Sequence, residues 1–441
     1  MNKMAREGRI RKPRRRDWPA FLKRVIPTTV WQSLATQLPI STDPRIRWTV
    51  QYMVLCTVLM GWSMEMSITQ RFREAHEVLV RLFPSRRRPG RSYPGLTKAI
   101  GNASAAPAPL FWKCLRETFP KRLGRVWMWY GWVLIAVDGS RIDAPRTRRN
   151  QRGLGKPCKN KTHPQWWVTT AVHLPSSVMW DWRQGPGDSS ERDHLRAMIP
   201  DVPTEALLVA DAGYVGFELM VELHQSGRHF LIRCGSNVRL LVEETLQHIE
   251  RRGECRYVYL WPKLHRKQDP LRLRLIVLKS RGKRVYLLTN VLDSRRLSRK
   301  TASTFYRARW GVEVHYRSLK QTLGHCNLLA KTPEPGGCEL AGYLVALGLL
   351  MLQGALVLGA RAPNLSVAAA LRAVRWAIRA VIACLSSAAF VERLCEAIQD
   401  SYQRHSSKKA RDWPLKKRYH PAGAPRVRKP TKTEKARLHA A

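Results

Sequence analysis

From Trp132 onward the chain alternates short β-rich runs with helical ones, and the order in which they come restricts the fold more than any other feature. Val133-Leu134-Ile135-Ala136-Val137, Trp166 to Leu174, and Val178 to Arg183 read as three consecutive antiparallel strands, the last two joined by a tight Pro-Ser-Ser turn. A helical stretch beginning near Ser189 leads to a fourth strand, Ala206 to Ala210. A helix from about Phe217 to Ser226 then leads to a fifth, Phe230 to Arg233. This succession predicts a mixed α/β sheet.

The order of elements is the one expected of a ribonuclease-H-like core, assigned here to residues 126–234 and 287–360. Residues 235–286 break the rhythm with alternating runs such as Arg256 to Leu260 and Leu271 to Leu278, and read as a mainly β insertion. Val285 to Thr289 follows as a strand, and one long helix is predicted from about Ser298 through Leu323. Residues 1–125 are expected to form a basic arm, over about the first two dozen residues, and a helical, DNA-binding region. Ala-rich helices are expected over 361–400, and a disordered basic tail over 401–441. The stretch Ser85 to Arg91 reads as a linker.

Lys plus Arg number 78 against 32 for Asp plus Glu, a formal charge of +46, which repels itself unless a polyanion neutralises it. That selects nucleic acid, with a membrane surface as the rival partner. The nine cysteines show no CxxC pair and no zinc spacing, and read as free thiols in a reducing compartment. No secretory signal is recognised, and a cytoplasmic location is expected. Leu340 to Ala360 carries no charge and is long enough to cross a bilayer. It is read as a helix buried on all sides, because it stands alone and contains several glycines and a glutamine.

Two acids follow strongly apolar strands and precede small residues: Asp138 in Ile135-Ala136-Val137-Asp138-Gly139-Ser140, and Asp211 in Leu208-Val209-Ala210-Asp211-Ala212-Gly213-Tyr214. A charge there is costly unless it is paired or binds a metal; a turn or helix-cap role is the plain alternative. In the predicted long helix, Tyr306, Arg309, Glu313 and Lys320 fall on one stripe about 21 Å long. Taken alone, such a Glu between cations is a solvated ion-pair network. With the two Asp it makes a set of three carboxylates, hard oxygen ligands suited to Mg2+, or Mn2+ in its place, and two such ions can serve phosphoryl transfer. Asp143, Glu191 and Asp193 rank below these three, as salt-bridge or helix-start residues. Arg141, Arg146, Arg148, Arg149 and Arg152 follow the first acid and are expected along a DNA backbone.

The segment Tyr306-Arg307-Ala308-Arg309-Trp310-Gly311-Val312-Glu313 through Lys320 resembles the Tyr-Arg-Glu-Lys signature of bacterial insertion-sequence DDE transposases. Val137 to Ser140 and Ala210 to Tyr214 resemble the first and second catalytic blocks of that family. The resemblance covers about Val133 to Leu323. It implies a ribonuclease-H-like fold, metal ligation by Asp138, Asp211 and Glu313, and Mg2+-dependent cleavage at terminal inverted repeats followed by joining to target DNA. It further implies contact of Tyr306, Arg309 and Lys320 with the phosphates, a homodimer on double-stranded DNA, and no small-molecule cofactor. Trp310 either stacks on a displaced base or packs in the core. Many relatives carry Arg where this chain has Ala212. A decayed DNA-binding relative and a nuclease without strand transfer are the alternatives.

Overall fold

A computed structural model of the chain describes residues 17–38, 43, 45–84, 88–103, 106–155, 163–280, 283–399 and 423–440. It divides into two compact units, one of residues 1–123 with 318–399 and the other of 124–317 with 400–441. The division differs from the sequence expectation: residues 318–360 join the helical unit instead of the core. The first sixteen residues of the basic arm, Ser85–Arg87 of the linker and 400–422 of the tail lie outside the described residues.

The helical unit is organised around the helix Pro333–Leu358. This is the one helix among the described residues long and apolar enough to cross a membrane, and 89% of its most apolar window is buried within the protein. Small residues let its neighbours approach. Gly342 faces Thr57 and Gly348 faces the Trp112 ring, each at a distance where a side chain would collide. The helix Val50–Trp62 packs along it, and the Trp62 indole N–H donates to the Ala346 carbonyl at 2.9 Å. The expected arm extends less far than predicted: Trp18–Val25 is a helix, and Trp18 is fully buried.

The second unit is built on a sheet of β1 (Val133–Asp143), β2 (Gln165–His173), β3 (Val178–Pro186), β4 (Ala206–Ala210), β5 (His229–Cys234), β6 (Arg239–Leu241), β7 (Glu254–Leu260), β8 (Leu271–Ser280), β9 (Lys283–Thr289) and β10 (Arg426–Arg428). Their order in space is β10-β6-β7-β8-β9-β5-β4-β1-β2-β3. β1, β2 and β3 are antiparallel neighbours, whereas β4 runs parallel to β1 and β5 parallel to β4. Three antiparallel strands followed by two parallel ones define a ribonuclease-H-like core. The parallel strands require crossovers, and the helices Glu191–Met198 and Phe217–Gln225 supply them. Val133 to Val137 are all fully buried, as expected of a central strand covered on both faces.

The β insertion extends the same sheet, because β9 pairs with β8 on one side and β5 on the other. The tail departs from its expected disorder: β10 adds in parallel to β6, and the helix Lys432–Ala440 follows. Glu434 holds this end in place, accepting from Arg428 at 2.6 Å and pairing with Arg266 at 2.9 Å.

Candidate active site

The register of β1 and β4 brings the two Asp together. Ala136 pairs with Val209 across these parallel strands, so Asp138 and Asp211, each two residues further on, stand level with one another. Asp138 does not end its strand, as the sequence suggested. Pairing of β1 with β2 continues to Asp143, while the buried run stops at Val137 and β4 stops at Ala210. Asp138 therefore sits where the sheet loses one neighbour and opens. Its Oδ1 accepts from the Gly139 amide at 2.9 Å, and Asp211 Oδ1 accepts from the Gly213 amide at 2.8 Å.

Burial pushes the Asp138 carboxyl up to about 6, the charges of Asp211 and Glu313 add to this, and the Gly139 amide and Arg309 oppose it. Asp138 thus feels the negative charge of both Asp211 and Glu313. The donor set suits a hard divalent cation: it is made of carboxylates, and beside them the Tyr214 hydroxyl is buried without a hydrogen-bond partner. Among the described residues, no three His, Cys, Asp or Glu side chains are drawn together tightly enough to enclose an ion. One oxygen of Glu313 is engaged by Arg309, at 2.8 Å.

Glu313 is carried by a helix that is shorter than predicted. Arg299–Ala308 and Trp310–Arg317 are separate helices with a turn at Arg309, and a π-helical turn, Ser318–Thr322, follows. The expected single straight stripe is thereby interrupted twice. Tyr306 and Arg309 remain adjacent, with the guanidinium 5.7 Å from the ring centroid, and Arg309 bridges to Glu313. Lys320 is half-buried in the π-helical turn and belongs to the helical unit. Trp310 is 60% exposed, which excludes the core-packing alternative.

Tyr316 fixes the Glu313 helix on the sheet. Its buried hydroxyl accepts from the Thr170 amide at 3.0 Å and lies 2.9 Å from both the Asp138 and Val168 carbonyl oxygens. Arg146, Arg148 and Arg149 are exposed, the last two on the short helix Arg148–Gly153. Asp143 accepts a hydrogen bond from the Gln165 side chain.

Glu191, ranked below the three acids in the sequence, stands close to two of them. It opens the helix Glu191–Met198, where Ser190 already caps the backbone by accepting from the Asp193 amide at 3.3 Å. Its carboxylate turns instead toward Asp138 and Asp211. Burial pushes it up to about 7, the two Asp charges add to this, and Arg192 and Arg141 oppose it. Its place in the first turn of the helix is the helix-start position expected from the sequence. Arg192 Nε donates to the Gly213 carbonyl at 2.8 Å, which brings a cation beside Ala212.

Residues 130–349 match the family described as the transposase DDE domain. The particular likeness is to the transposase InsG for insertion sequence element IS4 of Escherichia coli (strain K12), at 28% identity over 241 residues, covering 51% of this chain and 53% of that protein. The chain thus spans about half the length of the curated relative it matches. It is also similar to the piggyBac transposase in the cryo-EM structure of its synaptic complex with hairpin DNA, at 12% identity and a TM-score of 0.41, over 92% of this chain and 90% of that one.

Proposed function

We propose that the protein is an insertion-sequence transposase that cuts DNA at terminal inverted repeats and joins the freed 3′ ends to target DNA. The observation that carries this reading is the level position of Asp138, on β1, and Asp211, one residue past the end of the parallel β4, with the Glu313 helix tied to the Asp138 backbone through Tyr316. The InsG likeness supports the insertion-sequence context.

In this reading Asp138, Asp211 and Glu313 hold two Mg2+ ions, for which Mn2+ substitutes. The ions supply activation of an attacking oxygen and stabilisation of a leaving one. The protein's own part is positioning. The buried strands hold the two Asp at fixed height, and Tyr316 holds the helix that brings Glu313. Tyr306, Arg309 and Lys320, the cations and phenol of the signature segment, bind phosphate oxygens next to the cut bond. Arg309 then exchanges its Glu313 partner for phosphate, which frees the carboxylate. Exposed Trp310 offers a stacking face for a displaced base, and Arg146, Arg148 and Arg149 follow the backbone. Two ends cut together call for a homodimer, acting in the bacterial cytoplasm on the nucleoid.

Incubating the purified protein with paired end fragments, Mg2+ and a supercoiled target tests this. Joined products are expected. Nicked ends without joined products would favour a nuclease lacking strand transfer, and binding without nicking would favour a DNA-binding protein.

A further inference from the structure

We propose that Glu191 is a fourth carboxylate of this centre, a further ligand for the divalent cation held by Asp138 and Asp211. The inference rests on the reading just given and adds a residue from outside the strands and helix that supply the other three.

The geometry comes from two glycines. Gly139 follows Asp138, and a side chain there would meet one Glu191 oxygen at 3.0 Å. Gly213 lies two residues after Asp211, and a side chain there would collide with the other Glu191 oxygen and stand 3.0 Å from Asp211 Oδ1. One carboxylate thus spans the gap between the two backbone segments that carry the Asp pair. Neither glycine has a positive φ, so both are small to make room, not to permit a turn. Trp167 also lies against Gly139, at 2.8 Å from where a side chain there would begin.

Two further observations point to a ligand. Among the described residues, the Glu191 carboxylate makes no hydrogen bond or ion pair, although it stands close to two other acids. The charges of Asp211 and Asp138 disfavour the ionised Glu191 carboxylate and Arg192 and Arg141 oppose them, so a positive ion among the three acids would favour their charged forms. Tyr214, fully buried, directs an unpartnered hydroxyl into the field of Glu191, Asp138 and Asp211. An unmade buried hydrogen bond is costly, and a water on a bound cation is the kind of group that would meet it.

The test is Mn2+ binding to the full-length protein without DNA, read by the electron paramagnetic resonance of free Mn2+, with thermal unfolding in chelator as the folding control. Glu191→Gln is expected to weaken Mn2+ binding by roughly 10- to 100-fold, the scale of losing a supporting ligand. Gly213→Ala, which displaces the Glu191 side chain, is expected to weaken binding in the same direction. Unchanged Mn2+ binding in Glu191→Gln, beside a loss in Asp138→Asn, overturns the inference and leaves the proposed function standing. Unchanged binding in Asp138→Asn, Asp211→Asn and Glu313→Gln alike overturns that function instead. Should Glu191→Gln fail to fold, Glu191→Asp decides: weaker binding supports the role, and wild-type binding removes it.

Discussion

The Tyr316 hydroxyl lies 2.9 Å from the Asp138 carbonyl oxygen, so the helix that carries Glu313 is fastened to the strand that carries the first acid at that very residue. Replacing Tyr316 with Phe leaves the Thr170 amide and two carbonyls short of a partner inside the core. The expected loss is roughly 1–3 kcal/mol. Urea unfolding of the Tyr316→Phe protein measures it, and an unchanged midpoint would show that the hydroxyl contributes nothing.

Asp138→Asn, Asp211→Asn and Glu313→Gln should each reduce DNA cleavage by more than about 100-fold, since even outer partners of a metal centre cost up to that much. The variants should remain folded and should still bind end DNA. Cleavage gels beside mobility-shift assays separate the two properties, and wild-type nicking by any one variant removes that acid from the set.

Acid should unfold the protein through buried histidines. Burial holds His173 down to about 4, against the Trp127 carbonyl, and burial with Arg71 and Arg375 holds His325 down to about 3, against the Gly61 carbonyl. Both lie below the ordinary 6.5, so the fold favours the neutral ring. The stability they confer is complete above about pH 6.5 and is lost as the pH falls through about 4 and then about 3, on the order of 3 kcal/mol for His173. Circular dichroism across this range checks it, and His173→Gln should shift the acid transition to lower pH.

Trp310 is expected to matter to DNA and not to the fold. At 60% exposure its replacement by Ala should leave stability within about 0.5 kcal/mol. Binding to end fragments with unpaired bases should weaken by roughly 1–3 kcal/mol, the value of one stacking platform. Fluorescence titrations with paired and unpaired fragments compare the two, and equal affinities for wild type and variant would return Trp310 to the ordinary surface.

Replacing Arg146, Arg148 and Arg149 by Ala should flatten the salt dependence of DNA binding. Each lost phosphate contact lowers the slope of log affinity against log salt by roughly one. A triple variant with the wild-type slope would show that these arginines face solvent when DNA is bound.

The core was legible because its strands are written as short apolar runs: Val133 to Val137 and Ala206 to Ala210 are buried throughout. What escaped was pairing at a distance. Local pattern ends β1 at Asp138, yet the strand persists to Asp143 because β2 continues to hold it. The break at Arg309 and the π-helical turn at Ser318 leave no mark in helical spacing, so of the four residues assigned to one face Tyr306, Glu313 and Lys320 lie on three separate elements and Arg309 in the turn between the first two. Asp138 and Asp211 could be singled out from their apolar approaches. Glu191 could not, since its role follows from how Gly139 and Gly213 approach it in space. The ordered end of the tail was hidden for a similar reason: β10 is three residues long and exists only against β6.

The helical unit is assembled from two stretches of chain with all of residues 124–317 between them. During synthesis the helix Val50–Trp62, apolar on nearly every side, emerges long before Pro333–Leu358, the partner it packs against. A ribosome that stalls in the interval holds a nascent chain with a greasy rod and nothing to cover it, a species prone to clump with its own kind. Truncated copies of the gene should therefore yield insoluble fragments and not quiet competitors for DNA.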